Sequence, residues 1–179
     1  MIQFYIGDGK GKTTAAIGLA IRALGAAKRV AFVQFDKGHE PGRENYSERP
    51  VLRSLDGLDL IATGCERRLP DGTFRTTNTP KDRAEARRGL DAVKKLLEAG
   101  KHDVIVCDEI LTCVTTGLIE RSDVLEILDL HAGRADVELV MTGRCTDKAL
   151  TARADLVTEM RKIEHYFDAG VKARKGFEF

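Results

Sequence analysis

Ile2-Gln3-Phe4-Tyr5-Ile6-Gly7-Asp8-Gly9-Lys10-Gly11-Lys12-Thr13-Thr14 is the stretch that decides the fold. Its first five residues are mostly β-branched or aromatic and stop at a glycine, which reads as a strand. Residues 13–24 are rich in Ala, Ile and Leu and free of proline, which reads as a helix ending near Gly25. A strand, a glycine-rich turn and a helix N-terminus are what phosphate binding requires. Glycines let backbone N–H groups point at the anion, and the helix dipole adds positive charge. Lys12 supplies a full charge, and the Thr13 hydroxyl is suited to Mg²⁺. Gly7, Asp8, Gly9, Lys10, Gly11, Lys12, Thr13 and Thr14 are therefore candidate ATP-binding residues. An ordinary βα turn with chance glycines is the bland alternative. Gly-Lys-Thr-Thr at the strand-to-helix junction argues against it.

The loop departs from the common pattern of Gly, four residues, then Gly-Lys-Ser/Thr. Counting back from Gly11 puts the first glycine of that pattern at Ile6, so the loop is one residue short. Ordinary γ-phosphoryl transfer is therefore not the default expectation.

Working outward, residues 30–35 form a second apolar strand and complete a βαβ unit of a parallel sheet. Val104-Ile105-Val106-Cys107 is a continuous apolar strand ending in Asp108-Glu109. In a parallel sheet that pair lies at the carboxyl edge beside the phosphate loop, as a Walker-B acid does. One carboxylate can hold Mg²⁺ while the other ligates or acts as a base; a helix N-cap pair is the bland reading. Leu139-Val140-Met141 leads to Thr142-Gly143-Arg144 on the same edge, where Arg144 is placed to stabilise triphosphate charge or is a plain surface arginine. A last strand is expected over 156–160, and helices over 83–99, 124–130 and 147–154. Residues 36–82 read as a long functional loop with one short strand, Leu58–Ala62. The expected architecture is α/β, a single P-loop domain over 1–179 with a mainly parallel sheet flanked by helices.

Composition narrows the function classes. With a net charge of +1, no global field attracts nucleic acid or an anionic membrane. No apolar run approaches the roughly 20 residues a membrane helix needs, and no signal peptide is visible. The cysteines at 65, 107, 113 and 145 form no CxxC pair, which suits reduced thiols in the cytoplasm. The histidines at 39, 102, 131 and 165 show no metal-ligand spacing.

Five segments together carry a family resemblance: Gly7 through Ala16, Val33-Gln34-Phe35-Asp36-Lys37-Gly38, Asp108-Glu109-Ile110-Leu111-Thr112, Thr142-Gly143-Arg144, and the tail His165-Tyr166-Phe167-Asp168-Ala169-Gly170-Val171-Lys172-Ala173-Arg174-Lys175-Gly176. In order and spacing the chain resembles the CobA/BtuR/CobO type of corrinoid adenosyltransferase, and the tail is the most specific item. The resemblance implies a RecA-like sheet, usually in a homodimer. It also implies transfer of the 5′-deoxyadenosyl group of ATP to Co(I) of cob(I)alamin or a related corrinoid, with triphosphate leaving. ATP lies reversed along the loop in that family, which fits the short spacing. Mg²⁺ or Mn²⁺ would assist, and a reduced flavoprotein would supply electrons. By position, Lys12, Glu109 and Arg144 would serve catalysis, and Arg22, Arg144 and His165 would join the loop in binding ATP. Thr13, Asp108 and Glu109 would hold the metal. Phe167, Asp168 and Lys172 would border the corrin in an active-site tail of about 165–179.

The resemblance weakens on the acceptor side. Many members carry Gly-Phe-x-Trp after the middle strand, whose aromatics displace the axial base of the corrin. Here the segment reads Thr63-Gly64-Cys65-Glu66-Arg67, and the chain has no tryptophan. An N-terminal extension seen in some members is also missing, and Asp8 stands where Asn is usual. Either Phe74, Tyr46 or another aromatic of the long loop supplies the wedge, or the corrin site is altered or lost and the chain is a divergent member with another substrate. Gly64, Cys65 and Arg67 remain the corrin-side candidates by position, with Cys65 either a thiolate ligand for cobalt or a plain loop cysteine. A nucleotide-dependent binding or regulatory protein without adenosyl transfer is the alternative function, and a plain NTPase or kinase the third.

Overall fold

The structure is a computed structural model and describes residues 1–38, 42, 44–69, 73–134 and 136–179. His39 and part of the expected 36–82 loop lie outside the described residues. The strands are β1 (Ile2–Ile6), β2 (Val30–Gln34), β3 (Leu58–Ala62), β4 (Val104–Asp108), β5 (Glu138–Thr142) and β6 (Leu156–Glu159). They form one sheet in the order β3-β2-β4-β5-β1-β6. Every pairing is parallel, so the mainly parallel sheet that was expected is parallel throughout.

Side chains alternate across a strand, and here the alternation sorts two cores. Val30, Phe32, Val104, Val106 and Val140 face Ala16 and Ala20 of α1 (Lys12–Gly25) and Leu52 of α2 (Glu48–Ser54). Ala31, Val33, Ile105, Cys107, Leu139 and Met141 face the opposite layer. That layer holds α3 (Pro80–Ala99), α4 (Ile110–Thr115), α5 (Arg121–Ala132) and α6 (Lys148–Thr151). The central strands β2 and β4 are buried at every position, as parallel strands covered on both faces must be. The edge strand β6 is exposed at all four positions.

Several elements differ from the sequence expectation, each for a local reason. Helix α3 starts at Pro80 rather than 83. Thr79 and Asp82 close a capping box, and proline opens the first turn. Helix α5 starts at Arg121 rather than 124, because Glu120 and Asp123 make the same reciprocal contact. The helix expected over 147–154 is only α6. The short helix α4 follows Asp108-Glu109 directly and was not expected.

Residues 36–82 also contain α2, which apolar periodicity does not reveal. Its anchor is a buried arginine. Arg49 is fully buried and donates through Nε to Gln34 at 2.6 Å, through Nη1 to Glu44 at 3.2 Å and through Nη2 to the Lys37 carbonyl. Its guanidinium also stacks 4.3 Å from the Tyr46 ring centroid. One side chain therefore fixes the end of β2 and the loop that follows it. Because every strand runs the same way, all six carboxyl ends open on one edge, where α/β sheets bind ligands.

Removing the Arg49 guanidinium strands a buried amide and a carbonyl. Arg49→Ala is expected to cost about 3 kcal/mol, a fall of roughly 6–12 °C in thermal midpoint. A change below about 2 °C in a calorimetric scan would remove Arg49 as the anchor of this edge.

Candidate active site

The phosphate loop leaves β1 at Ile6 and enters α1 at Lys12. It packs so tightly on the end of β6 that side chains are excluded. A Cβ at Gly7 would lie 2.3 Å from the Met160 carbonyl oxygen, and one at Gly9 would lie 2.7 Å from it. The Gly9 N–H donates to that same oxygen at 2.7 Å. Gly7 also needs φ 109°, which disfavours any residue with a Cβ.

Lys12 is buried, and its ammonium donates to the carbonyls of Gly7 (2.9 Å) and Gly9 (2.8 Å). Burial pulls its pKa below the ordinary lysine value. A desolvated ammonium held by neutral carbonyls gains most from an incoming anion. Asp8 lines the second cavity beside Lys12. Its carboxylate accepts the Lys162 N–H at 3.0 Å, and this bond holds it below the usual carboxylate range. The acid at position 8 thus braces the loop against the chain after β6.

Three strand ends converge on one carboxylate. Asp108 is fully buried and accepts from Thr13 Oγ1 (2.9 Å), Thr142 Oγ1 (2.7 Å) and Lys37 Nζ (2.6 Å). Lys37 also donates to Thr13 Oγ1 at 3.1 Å. Burial opposes the charge on Lys37, but Asp108 and Glu109 outweigh it, and its pKa is raised. Sequence reasoning quoted Lys37 without giving it a role. The parallel register of β2 with β4, pairing Gln34 with Asp108, is what brings it here.

Glu109 caps α4 with φ 65°, a left-handed conformation that costs a non-glycine residue roughly 1–3 kcal/mol. Its N–H donates to Thr142 Oγ1 at 2.9 Å, and its carboxylate accepts from Thr112 at 2.5 Å. The pair lies at the carboxyl edge beside the phosphate loop, with Glu109 at the N-cap position of α4 but without a side-chain cap bond. Asp108 grips Thr13, and Glu109 heads the helix.

Two cavities flank this centre. One, about 530 Å³, is lined by Gly11, Thr13, Thr14, Lys37, Tyr46 and Phe179, among others. The second, about 770 Å³, takes in Asp8, Gly9, Phe74, Thr112, Arg144 and His165. Lys10, Lys12, Glu109 and Glu178 line both. Arg144 reaches the second cavity from the end of β5, its N–H held by Thr112 at 2.8 Å. Arg22 does not join them: it is exposed in the last turn of α1, about 15 Å along the helix from Lys12.

The acceptor-side candidates are placed differently from the donor-side ones. Gly64, Cys65 and Arg67 line neither cavity. Arg67 donates to Asp36 (2.6 Å), Asn78 (2.9 Å) and the Thr77 carbonyl (3.3 Å), so its charge stitches the loop together. Asp168 pairs with Lys162 at 2.8 Å, Lys172 is exposed, and Phe167 is 70% exposed. Phe74, 67% exposed, is the loop aromatic on the second cavity, and Tyr46 lines the first.

A family model described as ATP:corrinoid adenosyltransferase BtuR/CobO/CobP matches residues 1–179. The chain belongs to this family. It is 34% identical over 180 residues to the corrinoid adenosyltransferase of Escherichia coli K12 and to corrinoid adenosyltransferase CobA of Salmonella typhimurium, covering all of this chain and 85% of each relative. The corrinoid adenosyltransferase of Pseudomonas aeruginosa is 33% identical over 179 residues, covering 83% of that relative. Within this adenosyltransferase, no described helix is long and apolar enough to cross a membrane.

Membership sharpens the question of Cys65. Burial raises its thiol pKa above the ordinary 9.0, and Asp82 raises it further. Burial also pushes Cys107 and Cys113 upward. The thiolate is the reactive form, so a raised pKa leaves little of it at neutral pH. Iodoacetamide should therefore label Cys65 slowly at pH 7.5 and faster only as pH climbs past 9, with Cys107 and Cys113 silent until unfolding. Fast labelling of Cys65 at pH 7.5, read by peptide mass spectrometry, would contradict this and restore a thiolate ligand.

Proposed function

We propose that ATP lays its triphosphate along the Gly7–Thr14 loop, whose Lys10–Thr14 end lines the 530 Å³ cleft, and that a reduced corrinoid enters the 770 Å³ cavity. The observation that supports this reading is that Lys10, Lys12, Glu109 and Glu178 line both cavities as a shared wall, so a nucleotide donor in one and a bulky acceptor in the other would be neighbours. The electron pair of cobalt(I) attacks C5′ of the ribose. The C5′–O bond breaks, and its electrons leave with the triphosphate.

Lys12 and the loop N–H groups then meet charge that grows on the departing oxygen. Arg144 adds a guanidinium from the side of the second cavity. Thr13, Asp108 and Glu109 are the proposed holders of Mg²⁺ or Mn²⁺. Among the described residues no group of three or more His, Cys, Asp or Glu side chains is arranged to hold a metal ion by itself. One hydroxyl and one or two carboxylates nonetheless suit an ion that takes its other ligands from phosphate and water. The Lys37 ammonium, within 3.1 Å of both Thr13 Oγ1 and Asp108, marks this as a place where positive charge is stable. When bound, the ion neutralises the leaving triphosphate.

Further parts of the proposal rest on single features. Phe74 is our candidate for the aromatic face of the acceptor cavity. A homodimer is supported by the exposed edge strand β6 with Leu156 and Val157 and by exposed Ile163 and Phe167. A cytoplasmic setting fits the four free cysteines. A reduced flavoprotein is the proposed electron donor, and the chain is proposed to act as one P-loop unit.

Incubated with cobalt(I) corrinoid and MgATP, the protein should form a Co–C bond, seen by absorbance, and release triphosphate rather than ADP. Lys12→Ala should lower kcat/KM by about a hundredfold or more. A well-folded wild-type protein giving neither product, or giving ADP, would end the proposal.

A further inference from the structure

Glu178, on the wall shared by the two cavities, is held by as many ionic and hydroxyl partners as Asp108 is: Lys10, Arg174 and Tyr166. Its carboxylate accepts from the Arg174 N–H at 2.7 Å, from Arg174 Nε (3.3 Å) and Nη2 (3.2 Å), from the Tyr166 hydroxyl, and from Lys10 Nζ at 3.1 Å. These donors hold it well below the usual carboxylate range. Lys10 is further bound by the Phe177 carbonyl at 2.5 Å. A phosphate-loop lysine is thus occupied by an anion from within the chain, on the wall between the two cavities.

The segment that carries this carboxylate is built as a unit. The N–H groups of Phe177 and Glu178 both donate to the Arg174 carbonyl, and the Gly176 N–H donates to the Phe179 carbonyl at 2.7 Å. The Arg174 guanidinium stacks on both Tyr166 (4.9 Å) and Phe177 (4.8 Å). Gly170 and Gly176 flank the unit's approach with φ 82° and 81°, and a Cβ at either would meet nothing within 4 Å. The unit is internally bonded and loosely seated. Among the described residues its hydrogen bonds to the nucleotide cleft come from Lys10 and from the Ser47 hydroxyl, which donates to the Phe179 carbonyl at 2.9 Å.

We propose that Glu178 is a positioning residue: it holds Lys10 on the partition until a triphosphate takes Lys10 from it, and the release of segment 174–179 joins the two cavities. The proposal rests on the reading of the loop as a triphosphate site. The energetics favour the exchange. A partly exposed carboxylate–lysine pair is worth little. A triphosphate brings more charge and also meets the loop N–H groups and Lys12. After the exchange the segment has lost its tie to the loop, and its internal bonds, from the Arg174 and Gly176 amides to Glu178 and Phe179, open more often. The handover prevents the acceptor from meeting an empty donor cleft. With Lys10 on Glu178 the wall is closed, and with Lys10 on phosphate the wall lacks its latch.

Hydrogen exchange on the full chain, with tripolyphosphate and with MgATP as probes, tests this. Saturation with either should speed exchange at the Arg174 and Gly176 amides, whose partners are Glu178 and Phe179. In Glu178→Gln those amides should already exchange fast, and tripolyphosphate should bind about two- to fivefold more tightly by calorimetry. A merely structural role for Glu178 predicts weaker binding instead. Binding by the wild type with unchanged or increased protection at Arg174 and Gly176 would overturn the latch and leave the loop reading intact. Weaker or unchanged affinity in a folded Glu178→Gln would also overturn it. If the wild type bound neither probe, the triphosphate reading would fail and the latch with it.

Discussion

One buried negative charge organises the carboxyl edge of this sheet. Asp108 has no exposure and satisfies itself with two hydroxyls and an ammonium, drawn from α1, from β5 and from the end of β2. A carboxylate so placed is tolerable only when its partners are held in position. The β4 pairings with β2 and β5 do the holding. The donor half of the site is accordingly rigid and central, and the acceptor half lies outward, on loops and on the segment after β6.

That division also governs what the sequence made legible. The βαβ start, the phosphate loop and Asp108-Glu109 are local patterns, and each residue carries its own signal. The short α2 is different, because a buried arginine anchors it and an arginine inside a polar stretch looks like surface. Lys37 and Glu178 are different again. Lys37 acquires its place from strand order, and Glu178 from a chain reversal that brings residue 178 to residue 10; neither follows from spacing.

Positional analogy was weakest on the acceptor side. By the resemblance, Cys65 and Arg67 stand where a Gly-Phe-x-Trp segment would place its aromatics. In this chain the arginine is spent inward on Asp36, Asn78 and Thr77. A charged side chain cannot be left on an apolar surface cheaply, and these partners satisfy it within the loop. The aromatic ring that faces the cavity belongs to Phe74, seven residues further on, next to an antiparallel bridge with Arg68.

The contact between the phosphate loop and Met160 bears on how freely this protein can change. Gly7 and Gly9 press directly on backbone, and backbone cannot move aside the way a side chain rotates. An insertion restoring the commoner loop length therefore has no space on the β6 side and must bulge into the cleft where the anion belongs. Lengthening this loop by one residue would therefore need a compensating shift of the backbone at Met160 and Arg161, on which it presses.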